Sequence, residues 1–302
     1  MGFFGRALYI LLELFARVLA RLPLGVLLAA GRLLGRISFR VLSGRRRIAL
    51  ENIRRCQEAG SLPPDLDAWE TARESFVCFS QTVLESLAFL RRGMDHYRGR
   101  YSFSGGEHLK EALREKEERG SGLVLLTAHM GDWELSPQAL REDYGLRILI
   151  VGRDRGNRVL SRLMRDARTL TGNLFVSKDE GAREMLTALR GGGIVGTLFD
   201  QAAMVGSEGR QLDFMGRPAR TNIGPVKLAL KTRSPILPLF AAREGERHQI
   251  EFTRPLFPPS AAGDEWINAA TQKLNDVLAE RILARPGEWL WSHRRWKTPE
   301  GG

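Results

Sequence analysis

The stretch Gly122-Leu-Val-Leu-Leu-Thr-Ala-His129-Met-Gly-Asp-Trp-Glu134 decides how this chain reads. Its apolar run, opened by a glycine, fits a strand covered on both faces. The run ends at a histidine, Gly131 offers a turn, and a carboxylate stands five residues beyond the imidazole. Open α/β sheets bind ligands outside the carboxyl ends of their strands, which is where His129 would stand. Histidine is well suited to general-base work near neutrality, and a carboxylate beside it can fix its tautomer. Five residues along a helix is about 140°, so His129 and Glu134 do not share one helical face. They converge only if the chain turns between them, and glycine permits that turn. The bare spacing is unspecific, because a histidine at a helix entry followed by a solvated glutamate produces it too.

Around this stretch the rhythm is strand–helix–strand. Strands are expected at 101–104, 122–127, 146–152, 173–176, 193–199, 235–241 and 248–253. Helices are expected at 106–119, 137–143, 156–170, 180–190, 222–232 and 264–284. This alternation predicts an α/β fold, a mixed and mostly parallel sheet flanked by helices. Ser136-Pro137 reads as N-cap and first position of the helix after Glu134. The strand 193–199 also ends in polar groups, Asp200-Gln201, which places a second candidate pair beside His129. Alone, Asp200 would pass equally for a turn residue or helix cap. The Gly-rich stretch 206–221 reads as an exposed loop near the site.

Several motifs are excluded by context. Gly191-Gly-Gly-Ile-Val-Gly196 has the spacing of a dinucleotide fingerprint, yet a helix precedes it and a strand follows. It reads as a helix C-cap and a turn. The chain has no G-x-S-x-G elbow, Walker loop or H-E-x-x-H, so no nucleophilic serine stands in a recognisable setting. Cys56 and Cys78 are expected to be reduced packing residues, and no Cys/His cluster has metal-ligand spacing.

Length and composition allow one large α/β domain with a helical appendage. The expected division is 1–100, a helical membrane-associating region, and 101–302, the α/β domain. The formal net charge is +11, and residues 1–55 hold eleven arginines against Glu13 and Glu51. A basic, Leu-rich end suits an anionic membrane surface better than nucleic acid. Residues 3–20 read as an amphipathic helix with Leu8, Leu11, Leu12, Phe15 and Val18 on one face. After Pro23 a second helix runs to about Leu42, with Arg32, Arg36 and Arg40 at i, i+4. The pair reads as an interfacial anchor, with an ordinary helical hairpin as the alternative. Arg45-Arg-Arg47 lacks the interleaved aromatics of a nucleic-acid patch. Helices at 45–59 and 66–90 complete this region. No cleavable signal peptide is expected, since Glu13 and Arg17 interrupt the apolar run, and a spanning helix is not expected either.

Two further basic features ask for a role. Arg155, Arg158, Arg162, Arg165 and Arg168 form a stripe on the helix after Arg153. It reads either as a solvated face or as a contact for phosphates or an acidic carrier. The tail Trp289-Leu-Trp291-Ser-His-Arg-Arg-Trp296-Lys reads as a membrane interface or the rim of a lipid groove.

Taken in order, these residues resemble a known family, the bacterial lipid A late acyltransferases, within the wider glycerolipid acyltransferase superfamily. The carriers are His129-Met-Gly-Asp-Trp-Glu134, Gly196-Thr-Leu-Phe-Asp200-Gln201 and Asp213-Phe-Met-Gly-Arg-Pro-Ala-Arg-Thr221. Gly224-Pro225-Val-Lys-Leu-Ala229, Pro235-Ile-Leu-Pro238 and the tail Glu288–Lys297 complete the set. Asp154, Asn157-Arg158, Met215 and Thr232-Arg-Ser234 depart from the pattern. The resemblance implies a glycerolipid acyltransferase-like fold at the cytoplasmic face of the bacterial inner membrane. It implies transfer of an acyl chain from acyl carrier protein, or from acyl-CoA, to a hydroxyl of a Kdo-bearing lipid A precursor. His129 would be the general base, and Glu134 would orient it and stabilise its cation. Arg153 would stabilise the oxyanion and bind substrate, with Arg168, Asp200 and Gln201 as further substrate contacts. No cofactor, metal or nucleic acid is implied beyond the acyl donor as co-substrate; the partners are acyl carrier protein, a glycolipid acceptor and an anionic membrane. An acyltransferase for another glycolipid or a glycerolipid, a thioesterase, and a non-catalytic basic membrane tether are the alternatives.

Overall fold

A computed structural model describes residues 3–152, 158–177, 181–203, 208–260 and 263–296, with backbone alone for 3–7 and 158. Four helices come first: α1 (Phe3–Arg21), α2 (Leu24–Val41), α3 (Ser43–Glu58) and α4 (Ala68–Arg92). The alternating part follows as β1 (Tyr101–Ser104), α5 (Gly106–Glu118), β2 (Leu123–Thr127), α6 (Leu135–Tyr144) and β3 (Ile148–Gly152). It continues through α7 (Arg158–Thr169), β4 (Leu174–Ser177), α8 (Gly181–Arg190) and β5 (Ile194–Leu198). A hairpin, β6 (Gly209–Asp213) and β7 (Pro218–Asn222), precedes α9 (Gly224–Thr232), β8 (Ile236–Glu244), β9 (Arg247–Phe252) and α10 (Asp264–Ala284).

Seven strands form one sheet in the order β1-β9-β8-β2-β5-β3-β4. Every neighbouring pair is parallel except β8 with β9, which pair antiparallel. The α/β expectation therefore holds, with β2 and β5 side by side near the middle. Both central strands are apolar runs, as burial on two faces demands. The glycines after α8 act as turn residues, Gly192 at φ +75, rather than as a phosphate cradle.

From Gly209 on, the stretch expected as an exposed loop, 206–221, is a hairpin; 206 and 207 lie outside the described residues. Strands β6 and β7 pair antiparallel from Gly209↔Asn222 to Asp213↔Pro218, and Met215 and Gly216 turn the chain at φ 55 and 72. The buried Phe214, Ala219 and Thr221 hold the hairpin against the molecule. Helix α6 begins at Leu135, one residue before the expected cap, and Ser136 lies inside it; Pro137 still falls in the first turn, where its missing N–H is not needed.

The helical region expected over 1–100 shares its core with the sheet. Phe39, Ala49, Ile53, Cys56, Ala72 and Phe76 belong to one apolar cluster with Val124, Leu126, Val195 and Phe240. Burial pushes both thiols, Cys56 and Cys78, up to about 12, which suits packing residues. Helices α2 and α4 approach closely because Gly31 and Gly35 present no side chain: a Cβ on Gly35 would collide with the Val77 backbone. Among the described residues no helix is long and apolar enough to cross a membrane.

Gly35→Ala is expected to cost about 1–3 kcal/mol of stability, since neither helix can yield without repacking. Gly44→Ala, with nothing within 4 Å of the added carbon, should leave stability unchanged or higher. Urea denaturation of both variants checks this.

Candidate active site

The register of β2 against β5 builds the site. Thr127 faces Leu198, and Phe199 N–H donates to the Thr127 carbonyl at 3.1 Å just beyond the strands. Two residues further along each chain, that alignment sets His129 beside Asp200. The imidazole Nδ1 lies 3.0 Å from Asp200 Oδ1, and the His129 amide donates to Asp200 Oδ2 at 3.2 Å. Both side chains are buried. Burial alone would raise the Asp200 carboxyl. The charge of His129, its ring and amide hydrogen bonds, and the Trp289 indole together hold it below the ordinary carboxylate range. With Asp200 ionised, Nδ1 is the donor, which leaves Nε2 as the free base. Gln201 Nε2 stands 3.5 Å from the same Nδ1.

Glu134 does not make the bond to His129 that the spacing suggested. Its carboxylate is gripped by Arg168, Nε to Oε2 at 2.9 Å and Nη2 to Oε1 at 2.5 Å, and accepts from Trp133 Nε1 at 3.1 Å. Despite burial, Arg168's charge and hydrogen bonds, helped by Trp133 and the nearby His129, hold Glu134 low. The orienting position at Nδ1 is taken by Asp200 because Gly131, at φ 56, reverses the chain and carries Glu134 toward α7. Only glycine fits there, since a Cβ would collide with the Ala241 carbonyl oxygen. Arg168, expected at the substrate, pairs with Glu134. Arg153, Arg155 and the Arg158 side chain lie outside the described residues. Of the remaining stripe, Arg162 lies over the Tyr9 ring and Arg165 over Phe175.

The C-terminal tryptophans are not a membrane rim. Trp289 and Trp291 are almost wholly buried, and each indole N–H has a partner: Asp200 Oδ2 at 3.0 Å and the Pro286 carbonyl at 2.7 Å. Trp296 is buried too and donates to the Phe214 carbonyl at 3.2 Å. A satisfied indole can enter a core at little polar cost. The tail also pairs with the histidine loop: Leu290 N–H donates to the His129 carbonyl at 3.0 Å and Gly131 N–H to Glu288 at 3.2 Å. It is a clamp on the site. Both the motif and Asp200 were visible in the sequence, but their pairing across 89 residues was not.

A second buried polar group lies under the loop. Glu85 on α4 is met by Arg243 at 2.6 Å and Arg100 at 2.8 Å. Tyr97 donates to Asp132 at 2.7 Å, and His248 stands 3.4 Å from Glu85 and 3.9 Å from Asp132. Glu85, Asp132 and His248 offer ligand atoms within 4.8 Å of one another. The guanidinium groups already balance the Glu85 charge, so the donor set suits a protein-internal ion cluster better than a divalent cation. Sequence spacing gave no sign of it, since its members come from α4, the loop, β8 and β9.

The match to known proteins follows the same residues. A family model described as bacterial lipid A biosynthesis acyltransferase matches residues 4–298. The chain belongs to this family. Curated relatives include the phosphatidylinositol mannoside acyltransferase of Mycobacterium tuberculosis strain H37Rv, 29% identical over 196 residues, or 64% of this chain and 58% of that protein. The Mycolicibacterium smegmatis protein of the same name is 26% identical over 193 residues, covering 63% and 60%. The chain thus spans well under two thirds of the length of the curated relatives it matches. A solved 1-acyl-sn-glycerophosphate acyltransferase from Thermotoga maritima overlaps 86% of this chain and 97% of that one, at 12% identity and a TM-score of 0.39, too loose a likeness to carry an argument.

Two expectations follow. Trp289→Phe keeps the apolar ring but strips a donor from buried Asp200, and should cost about 1–3 kcal/mol in chemical denaturation. Asp200 titrates lower folded than unfolded, so its ionic contribution is complete at neutral pH and is lost as pH falls below about 5. The stability gap between wild type and Asp200→Asn should therefore narrow on acidification; thermal melts across pH read it.

Proposed function

We propose that the chain moves a fatty acyl group from a thioester donor, acyl carrier protein or coenzyme A, directly to a hydroxyl of a membrane glycolipid. The observation that carries this is the buried His129–Asp200 pair at the ends of two adjacent parallel strands, in a chain of an acyltransferase family. Nε2 of His129 takes the proton as the acceptor oxygen attacks the thioester carbonyl. Asp200 balances the imidazolium that forms, as an orienting carboxylate does in related acid–base systems. The C–S bond then breaks, and the imidazolium returns its proton to the departing sulfur. Glu134, locked to Arg168, fixes the far end of the loop and adds negative charge near His129. Trp133, edge-on to His129 at 5.1 Å and stacked on Phe79, walls the imidazole from water. The oxyanion is assigned to Arg153 or a backbone N–H. Direct transfer needs no nucleophilic serine, in keeping with the motifs of the chain.

Two acceptors share the needed chemistry, a hydroxyl on a phosphate-bearing glycolipid. The family's description favours a lipid A precursor, and the names of the curated relatives favour a phosphatidylinositol mannoside. Contact with the cytoplasmic face of the inner membrane would come through α1 and α2. Ile10, Leu11, Phe15 and Val18 on α1, and Leu33 and Ile37 on α2, are exposed, with arginines beside them. Apolar residues flanked by arginine are what an interfacial helix presents to anionic lipid.

Purified protein should be mixed with acyl carrier protein and coenzyme A thioesters and with each acceptor, and the lipid weighed by mass spectrometry. A gain of one acyl chain is expected, abolished in His129→Ala and lowered about 10²-fold or more in Asp200→Asn. Unchanged turnover in His129→Ala would overturn the assignment, and the acceptor that gains mass identifies the lipid.

A further inference from the structure

The turn between α2 and α3 carries a cavity that acyl transfer alone does not explain. It is an open depression of about 620 Å³, lined by the exposed Arg45, Arg47 and Arg294, by His293, and by Val41 and Leu42. Among the described residues no acidic side chain lines it. Among the described residues, none of these three arginines pairs with a carboxylate; Arg45 donates to the Ser292 carbonyl at 3.3 Å. Guanidinium groups gathered around a concavity without counter-charge make a fork-shaped donor set suited to phosphate oxygens.

His293 ties this cavity to the reaction centre. Its carbonyl is held by Asn52 at 2.8 Å, and its ring lies within electrostatic reach of both Asp200 and His129. Burial pulls the ring down to about 4, so it lines the cavity as a neutral hydrogen-bonding group. The neighbouring part of the lining has the opposite character. Val41 is 71% exposed and Leu42 48%, and they continue the exposed apolar positions Leu33, Leu34 and Ile37 along α2. A free phosphate or a nucleotide has no use for that apolar apron. A lipid does, because its phosphate sits where water gives way to acyl chains.

We propose that Arg45, Arg47 and Arg294 form a phosphate subsite for the headgroup of the lipid acceptor, with the acyl chains of that lipid running along α2. This rests on the acyl-acceptor reading above, but the binding it claims can be measured without transfer.

The test uses the full chain with no acyl donor present, titrated with short-chain, water-soluble phosphatidylinositol and, separately, inorganic phosphate. Arg45→Gln/Arg47→Gln/Arg294→Gln should weaken phosphatidylinositol binding about tenfold or more. Arg183→Gln/Arg190→Gln/Lys231→Gln removes the same charge from α8 and α9, away from α2 and from the site, and should change it less than about twofold. Both proteins are first shown by thermal melting to be folded. Equal weakening in the two variants, or none in the first, overturns the site. Inorganic phosphate binding as tightly as the lipid overturns the lipid source. In steady-state transfer the cavity variant should raise KM for the lipid and leave KM for the thioester unchanged; the reverse pattern assigns the arginines to the donor's phosphate and overturns the proposal. If wild type transfers nothing, the failure belongs to the acyltransferase reading and the binding comparison still decides the subsite.

Discussion

The hydrogen bond between His129 Nδ1 and Asp200, 3.0 Å long and buried, depends on the register of β2 against β5. A slip of one residue would point each strand's side chains to the opposite face and part the pair. Register is strongly specified here because β2 is buried almost throughout and apolar residues of both strands belong to the cores on the two faces of the sheet. The rest of the site adds constraints to the same two residues. The Trp289 indole holds Asp200, the Leu290 amide holds the His129 carbonyl, and Ser75 Oγ holds the Trp289 carbonyl at 2.5 Å from α4. A carboxylate held from three sides spends little energy reorienting when charge develops on the imidazole, which is the basis of electrostatic preorganisation.

Buried charge is the cost of this arrangement, and the structure meets it by pairing. Asp200 has His129 and Trp289, Glu134 has Arg168 in a two-point grip, and Glu85 has Arg100 and Arg243. Such pairs contribute little net stability against an apolar core of equal volume, but loss of one partner leaves a charge stranded. They fix geometry more than they add to stability. The Glu85 cluster also explains why the loop can fold back sharply at Gly131: Tyr97 holds the Asp132 carboxylate, and Thr82 donates to the Gly131 carbonyl at 2.9 Å.

Much of the fold was legible in the chain because periodicity is a local property. All seven strands of the main sheet overlap the ranges expected for them, and helix α10 matches its expected bounds of 264–284. The hairpin at 209–222 escaped because Gly209-Arg-Gln-Leu-Asp213 lacks an apolar run; its burial comes from Phe214, Ala219 and Thr221 packing on other elements. The site was half legible. His129 and Asp200 stood out as polar ends of apolar strands, but which carboxylate meets Nδ1 is decided by strand order, and strand order is non-local. Spacing favoured Glu134, and the sheet brings Asp200. The tail failed in an instructive way: tryptophan beside arginine has the composition of an interface, yet here the three indoles are buried with their N–H groups bonded, and the Arg295 guanidinium is buried among them. Arg295 donates to Thr221 at 2.7 Å and lies over the Phe214 ring.

The helical end and the sheet end of the molecule meet at this site, with α4 running beneath the loop and α1 reaching α7 through Tyr9 and Asp166 at 3.0 Å. The exposed apolar residues of α1 and α2 and the His129–Asp200 pair are thereby linked through α4 and α7. The claim on which the whole account turns is that Asp200, and not Glu134, sets the state of His129. Nitrogen-15 NMR of the histidine ring reads this directly. In its neutral form His129 should carry its proton on Nδ1 and leave Nε2 bare, and that preference should disappear in Asp200→Asn but persist in Glu134→Gln. A neutral ring protonated on Nε2, or a tautomer that follows Glu134 and ignores Asp200, would contradict the account.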